Sequence, residues 1–266
     1  MEPNSAVERP AQEAAQAARF HVSSHQDTIS IMKHKFLIAT FAVVLATATT
    51  FAFAFPVPTA CLLIGVAELN RLSDGSLTES ELEADQQRQL QLTQDARARI
   101  ESTFGTAESK PILVFFDQPD GFGPFRLNAY GSTQFIGSRA CVMVGPKGQN
   151  VDVVAHELMH AEIHYRVGYL KRFMQLPTWF DEGVAMQVDY RPRYLLSPQD
   201  AQKTAFVRDL TTYSTFFKGD DEALTRNYAS AKHEVATWLS KVGPTSLYSR
   251  LQRLRDGQSF AEVIAE

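Results

Sequence analysis

The interpretation of the chain starts from the stretch Asn150-Val-Asp-Val-Val-Ala-His156-Glu157-Leu-Met-His160-Ala-Glu-Ile-His164. It contains the motif H-E-x-x-H. On an α-helix, residues i and i+4 lie on the same face, one turn apart. His156 and His160 would therefore direct two imidazole nitrogens to one point, as zinc ligands do. Glu157 is rotated by about 100° and would lie beside the metal, where it can accept a proton from water.

The helix itself is well specified. Asn150 is a candidate N-cap, and apolar residues flank the motif without a Gly or Pro breaker. His164 does not qualify as a third ligand, because eight residues of helix rise about 12 Å. We expect it to lie on the polar face or to support a ligand. The competing interpretation is a surface helix with two solvated histidines.

Catalytic zinc usually has three protein ligands and one open position, so a third ligand is needed. The candidate is Glu182, in Leu176-Pro177-Thr178-Trp179-Phe180-Asp181-Glu182-Gly183-Val184-Ala185. Thr178 followed by Asp181 predicts a helix start that places Glu182 in the first turn. Gly183 would allow two backbones to approach closely. The alternative role of Glu182 is a carboxylate that stabilises a helix N-terminus.

These two stretches resemble the gluzincins, which are zinc peptidases with two His and one Glu as ligands. More narrowly, W-x-x-E-G-x-A at residues 179–185 is similar to the small bacterial peptidase-MA-like proteins. The resemblance covers roughly residues 151–243. It implies that His156, His160 and Glu182 hold Zn²⁺, that Glu157 is the general base and that Tyr228 steadies an oxyanion. Tyr228 could equally be a half-buried aromatic residue with a satisfied hydroxyl.

Other residues are candidates for supporting roles. Asp152, four residues before His156, or Asp181, beside Glu182, could orient a ligand. His233 could share the charge that develops on the substrate. Two cysteines, Cys61 and Cys141, could form a disulfide in an oxidising compartment, or each could be a small buried hydrophobic residue.

The amino-terminal part is predicted to differ from the rest. Residues 1–31 are rich in Ala, Gln, Glu and Ser, which indicates a disordered or untranslated extension. In residues 32–67, Lys33 and Lys35 precede about 20 uncharged, mostly apolar residues, as in a signal peptide or a signal anchor. The lysines before the span favour a location of the following domain outside the cytoplasm, on the periplasmic side or secreted. Residues 68–266 would form the metallopeptidase domain.

The fold class predicted for that domain is α+β. Residues 82–104 are predicted to form one long helix that begins with a capping box at Thr78 and Glu81 and ends at Gly105. Residues 111–116 and 133–144 are predicted strands, so a small mixed sheet precedes the H-E-x-x-H helix. Helices are also predicted after Ser197 and at residues 222–239 and 246–255. The resemblance implies a mostly helical zincin-like domain that binds substrate at the sheet edge as an added strand.

The expected function is zinc-dependent hydrolysis of peptide bonds by a metal-activated water, with Glu157 as general base. The partners would be a peptide or protein substrate and, through the amino-terminal segment, a membrane. A net charge of −4 argues against nucleic acid. One rival is a catalytically idle zinc-containing domain that binds peptides or proteins at the cell surface. The other is a membrane-tethered assembly protein that acts through the helix at residues 82–104.

Overall fold

The computed structural model describes residues 36–50, 56–118 and 128–265. The chain divides into two compact units, Met1–Phe55 and Pro56–Glu266. In the first unit, residues 36–50 form helix α1. The predicted extension at residues 1–31 and residues 32–35, which include Lys33 and Lys35, lie outside the described part of the chain.

The predicted apolar segment, residues 32–67, is described in part. Among the described residues, no helix combines the length and the apolar character needed to cross a bilayer. Residues 56–66 belong to the second unit, in which Pro56–Leu63 forms helix α2. Ala60, Cys61 and Ile64 pack against buried residues of the sheet. The folded unit therefore begins earlier than residue 68.

The second unit contains helices and a five-stranded sheet. Its further helices are α3 (Glu83–Phe104), α4 (Val151–Val167), α5 (Tyr169–Gln175), α6 (Thr178–Ala185), α7 (Tyr213–Phe216), α8 (Asp221–Val242), α9 (Leu247–Arg255) and α10 (Phe260–Ile264). Its strands are β1 (Asn70–Arg71), β2 (Leu77–Thr78), β3 (Ile112–Phe115), β4 (Gly131–Ile136) and β5 (Arg139–Val144). This arrangement confirms the α+β class and the small mixed sheet that precedes the H-E-x-x-H helix.

The strand order is β1-β2-β3-β5-β4. β2, β3 and β5 are parallel, and the two outer strands β1 and β4 are antiparallel to their neighbours. Parallel strands need a crossover connection, which α3 provides between β2 and β3. β4 and β5 form a hairpin in which Gly131 pairs with Val144 and Ile136 pairs with Arg139. β4 is an outer strand of the sheet, and α4 contacts both β4 and its neighbour β5.

The sheet separates two hydrophobic clusters because successive side chains of a strand point to opposite faces. Leu113, Phe115, Val142 and Val144 belong to the main core with the helices. Val114, Cys141 and Met143 face the other way and pack with residues of α2. A disulfide between Cys61 and Cys141 joins α2 to β5. Of the two roles predicted for these cysteines, pairing is the one observed.

Several local predictions differ from the structure. The long helix begins at Glu83 after Leu82, whereas Thr78 lies in β2. The predicted capping box is therefore wrong, although Gly105 ends the helix as expected. The segment after Ser197 forms short 3-10 turns in place of an α-helix. The predicted strand at residues 133–144 is the β4–β5 hairpin, one of the two forms the sequence allowed.

Candidate metal centre

Helix α4 brings the H-E-x-x-H residues into the interior of the domain. The Asn150 side chain caps the helix by accepting a hydrogen bond from the backbone N–H of Val153 at 3.0 Å. α4 contacts the helices α3, α6 and α9 and the strands β4 and β5. Residues 153–164 are all buried. A helix that is buried nearly all round places its polar side chains inside the protein, where each needs a partner.

Two of the buried polar side chains on α4 have ordinary structural partners. Glu162 accepts hydrogen bonds from the backbone N–H groups of Glu108 and Ser109 and from the guanidinium of Arg166. The ring of His164 donates from Nε2 to the carbonyl of Gly137 at 2.9 Å. His164 is thus buried and fixes the β4–β5 turn, so its predicted place on a polar face is wrong.

Helix α6 carries Glu182. The helix begins after Pro177, and no side chain caps it, so the predicted capping role of Thr178 is wrong. The ring of Phe180 contacts those of Trp238 and Phe260, with centroids 5.2 and 5.0 Å away. These contacts fix the orientation of α6 in the core.

Gly183 packs against α8. A Cβ at this position would lie 2.6 Å from the carbonyl oxygen of Ala231 and 2.6 Å from Cγ2 of Val235. The predicted close approach of two backbones is thus between α6 and α8. It holds the α6 backbone in place one residue after Glu182.

His156, His160 and Glu182 converge on one point. Nε2 of His156 lies 3.1 Å from Nε2 of His160. Oε2 of Glu182 lies 3.4 Å from the first of these nitrogens and 3.3 Å from the second. The three residues form a buried group whose ligand atoms could hold a metal ion.

The spacing of these three atoms fits a tetrahedral metal site. Ligand atoms about 2.0–2.1 Å from one ion, at the tetrahedral angle, are separated by about 3.3 Å. The observed separations of 3.1, 3.3 and 3.4 Å match that value. Oε2 of Glu182 is buried and makes no hydrogen bond, which would be costly for a carboxylate without a cation beside it. Two imidazoles and one carboxylate are also a donor set that zinc accepts.

The charges of the site favour a cation at the same point. Burial opposes the ionisation of Glu182, but the imidazoles of His160 and His156 outweigh it and hold the pKa of this carboxyl well below its ordinary value. Burial also lowers the pKa of His160, yet the carboxylates of Glu182 and Asp181 reverse the effect and raise it well above its ordinary value. These side chains therefore stabilise a positive charge between them. The charge can be a proton or a metal ion, and the two compete for the same place.

Asp181 and Asp189 lie behind the two histidines. Oδ1 of Asp181 is 3.1 Å from Nδ1 of His160 and can accept a hydrogen bond from it. Asp189 is fully buried, and its Oδ2 lies 3.8 Å from Nδ1 of His156 while it pairs with Arg191. Asp189 follows Glu182 by seven residues and belongs to no motif, so it was not recognised from the sequence.

Asp152 does not contact a ligand. Its Oδ1 accepts hydrogen bonds from Arg99 at 2.6 Å and from the backbone N–H of Tyr190 at 2.9 Å. It therefore joins α3 and the segment after α6 to the start of α4. Of the two aspartates considered from the sequence, Asp181 is the one placed beside a histidine of the centre.

Glu157 faces the outer strand of the sheet. The hydroxyl of Thr133 lies 2.7 Å from Oε2 of Glu157 and 2.9 Å from its backbone carbonyl oxygen. A Cβ on Gly131 would lie 2.9 Å from Cγ and 3.0 Å from Oε1 of Glu157. Neither Thr133 nor Gly131 was recognised from the sequence, although both occupy the same face of β4 by the period of two.

Tyr228 lies close to the centre, and His233 does not join the converging group. The ring centroid of Tyr228 is 6.2 Å from that of His156. Burial and the nearby carboxylates of Glu182 and Glu157 raise the pKa of the Tyr228 hydroxyl well above its ordinary value. A tyrosine hydroxyl is already protonated at neutral pH, and this shift keeps it a hydrogen-bond donor. His233 is half-buried on α8 and is not a member of the metal-binding group found among the described residues.

In comparisons with known proteins, no family model matches the chain and no curated protein matches it in sequence. The resemblance to gluzincins therefore rests on two short motifs. The candidate metal centre is defined by the positions of His156, His160 and Glu182 and by the partners of these side chains.

Proposed function

We propose that the second unit is a zinc-dependent peptidase with a zincin-like fold. The observation that carries this proposal is the convergence of two imidazole nitrogens and one carboxylate oxygen at tetrahedral spacing. A general base, Glu157, follows the first of these ligands directly on the same buried helix. A metal site with a neighbouring base is what metal-assisted hydrolysis requires.

The proposed reaction divides the work between the metal and the chain. When bound, zinc would polarise a substrate carbonyl and lower the pKa of a water molecule at the open position. Glu157 would accept the proton of the attacking water and return it to the leaving amine. Thr133 and Gly131 would keep the Glu157 carboxylate in place from the side of the sheet.

Tyr228 is proposed to donate a hydrogen bond to the oxygen that becomes negative in the transition state. Its ring lies beside that of His156, and its hydroxyl, whose pKa lies above its ordinary value, is a hydrogen-bond donor at neutral pH. Donors aimed at a developing oxyanion are among the strongest contributors to catalysis. We assign Tyr228 this role.

A catalytically idle zinc domain is the rival interpretation. A structural zinc site is usually closed by four protein ligands, whereas the group found among the described residues has three members. A structural site also has no need for a base beside it. Both features favour a peptidase over a domain that only binds peptides or proteins.

Location and substrate belong to the same proposal. The disulfide between Cys61 and Cys141 favours an oxidising compartment, and Lys33 and Lys35 before the apolar residues 36–55 favour export of the folded unit. The domain would then act outside the cytoplasm, either anchored to the membrane or secreted. A peptide or protein substrate would lie along β4, one of the two outer strands, as an added strand.

The test combines metal analysis with a cleavage assay. The full chain is purified with zinc, its zinc content is measured, and cleavage of a mixed peptide library is followed by mass spectrometry. Glu157→Gln should retain zinc and lose cleavage by about 10²–10⁴-fold, which is the typical contribution of a general base. Zinc binding without cleavage by the parent protein would favour the idle domain. Cleavage that persists in Glu157→Gln would exclude the assigned base.

A further inference from the structure

Arg172 on α5 is a mostly buried arginine next to the candidate metal centre. Its side chain is 10% exposed, and its Nη2 pairs closely with Oδ2 of Asp181. The other oxygen of the same carboxylate, Oδ1, lies 3.1 Å from Nδ1 of His160. Arg172, Asp181 and His160 therefore form a continuous chain of polar contacts that ends at a candidate ligand.

The orientation of Arg172 is fixed by a second contact. Its guanidinium carbon lies 3.9 Å from the ring centroid of Phe135 on β4, a cation–π arrangement. Phe135 is itself stacked on the ring of His164, with centroids 4.3 Å apart. Because the ring of Phe135 supports one side of the guanidinium, its planar fork is held toward Asp181.

Charge explains why an arginine is needed at this position. Asp181 and Glu182 are adjacent carboxylates; Glu182 is buried, and the side chain of Asp181 is only 13% exposed. Without a cation, the mostly buried Asp181 carboxylate would lie beside a second negative charge, which is costly. Arg172 compensates for that charge from the side away from the metal and leaves Oδ1 free to accept a hydrogen bond from His160. Groups that orient a ligating histidine typically change metal affinity by 10–100-fold when they are removed.

We propose that Arg172 is a positioning residue for the metal centre, which it serves by holding Asp181 against His160. This inference rests on the proposed metal site and adds a residue from α5, a helix that the sequence did not predict. Arg172 contacts neither the point on which the three candidate ligands converge nor Glu157. Its contribution is transmitted through Asp181 and should be measurable as zinc affinity in the absence of any substrate.

The chain offers a matched control for this role. Arg166 on α4 is also a mostly buried arginine, with 14% of its side chain exposed. Its Nε donates to Oε1 of Glu162 at 2.7 Å, and its guanidinium lies over the ring of Tyr248 at 4.4 Å. Arg166→Met therefore removes the same kinds of contact, an ion pair with a buried carboxylate and a cation–π contact. It does so without touching a residue of the metal centre.

The experiment measures the zinc dissociation constant of the full chain by competition with a chromophoric chelator. Arg172→Met should weaken zinc binding about 10–100-fold, whereas Arg166→Met should leave it close to that of the parent. Arg172→Lys, which retains the charge without the fork, should bind zinc with intermediate affinity. Circular dichroism shows whether each variant is folded, and the lysine variant provides the test if the methionine variant is not. The absorption spectrum of the Co²⁺-substituted protein should change for Arg172→Met and remain unchanged for Arg166→Met.

A double-mutant comparison tests the route through Asp181. In an Asp181→Asn background, Arg172→Met should cause little further loss of zinc affinity, because residues that act through one another are not additive. Full additivity would overturn the proposed route. Zinc affinity equal to the parent in folded Arg172→Met or Arg172→Lys would overturn the role of Arg172 while leaving the metal site intact. Absence of zinc binding by the parent would overturn the metal site, and the role of Arg172 with it.

Discussion

The hydroxyl of Thr133 on β4 lies 2.7 Å from Oε2 of Glu157 on α4. This contact joins the outer strand of the sheet to the residue that we assign as general base. The same hydroxyl lies 2.9 Å from the Glu157 carbonyl oxygen, so it can hydrogen-bond to either oxygen. A substrate that paired with β4 would therefore lie next to the strand whose Thr133 contacts Glu157.

Replacement of Thr133 by valine should impair catalysis and leave the metal in place. Valine keeps the shape of threonine but removes the hydrogen bond to a charged carboxylate, which is worth about 1.5–3 kcal/mol. We expect kcat on a cleavable peptide to fall roughly tenfold or more, with one zinc per chain retained. Ser132→Ala on the same strand is the control, since residue 132 faces the opposite side of the sheet. An unchanged kcat in Thr133→Val would exclude this support of Glu157.

Substitution of Gly131 by alanine should displace Glu157. The new Cβ would lie 2.9 Å from Cγ of Glu157 and 3.0 Å from Cγ1 of Val153, which are closer than ordinary contacts. Because misplacement of a catalytic group by about 1 Å can cost about 10²-fold in rate, we expect a loss of one to two orders of magnitude in kcat. Zinc affinity should change far less, since the three atoms nearest to the new Cβ belong to Glu157 and Val153 and none belongs to a histidine. If Gly131→Ala instead lost most of its zinc affinity but kept the kcat of the parent per bound zinc, the substitution would act on the metal site and not on Glu157.

The disulfide between Cys61 and Cys141 should stabilise the second unit substantially. The two cysteines are separated by 80 residues. In the chain-entropy account, a crosslink over such a loop contributes roughly 4 kcal/mol by restricting the unfolded state. We expect Cys61→Ser combined with Cys141→Ser to lower the free energy of unfolding by about that amount, measured by urea denaturation. Reductant should destabilise the parent and have no effect on the double variant; equal stability of all samples would refute the contribution.

The sequence predicted the features that depend on local chemistry. The spacing of His156 and His160 on one helical face, the Asn150 cap and the Gly105 stop depend on nearby residues, and all three are present in the fold. The apolar strand at residues 112–115 was recognised for the same reason. The α+β class followed from the order of these elements.

The features that the sequence did not predict depend on tertiary contacts. On α3 the buried face consists of Gln89, Thr93, Ala96, Ile100 and Phe104, whereas the apolar Leu82, directly before the helix, is exposed. Gln89 and Thr93 gave no signal of burial, since polar residues are usually exposed. Arg172 belongs to a short helix with a mostly exposed surface, and its link to His160 exists only because α5 and α6 meet. No local pattern encodes such a contact.

The most direct measurement is the zinc content of the purified full chain after equilibrium dialysis, for the parent and for Glu182→Gln. The two imidazoles and the Glu182 carboxylate converge at tetrahedral spacing, so the parent should hold one zinc per chain. Glu182→Gln keeps the shape of the side chain but removes its charge, and it should bind zinc far more weakly. A parent protein without zinc, or a glutamine variant that binds zinc as tightly as the parent, would contradict the proposed metal centre.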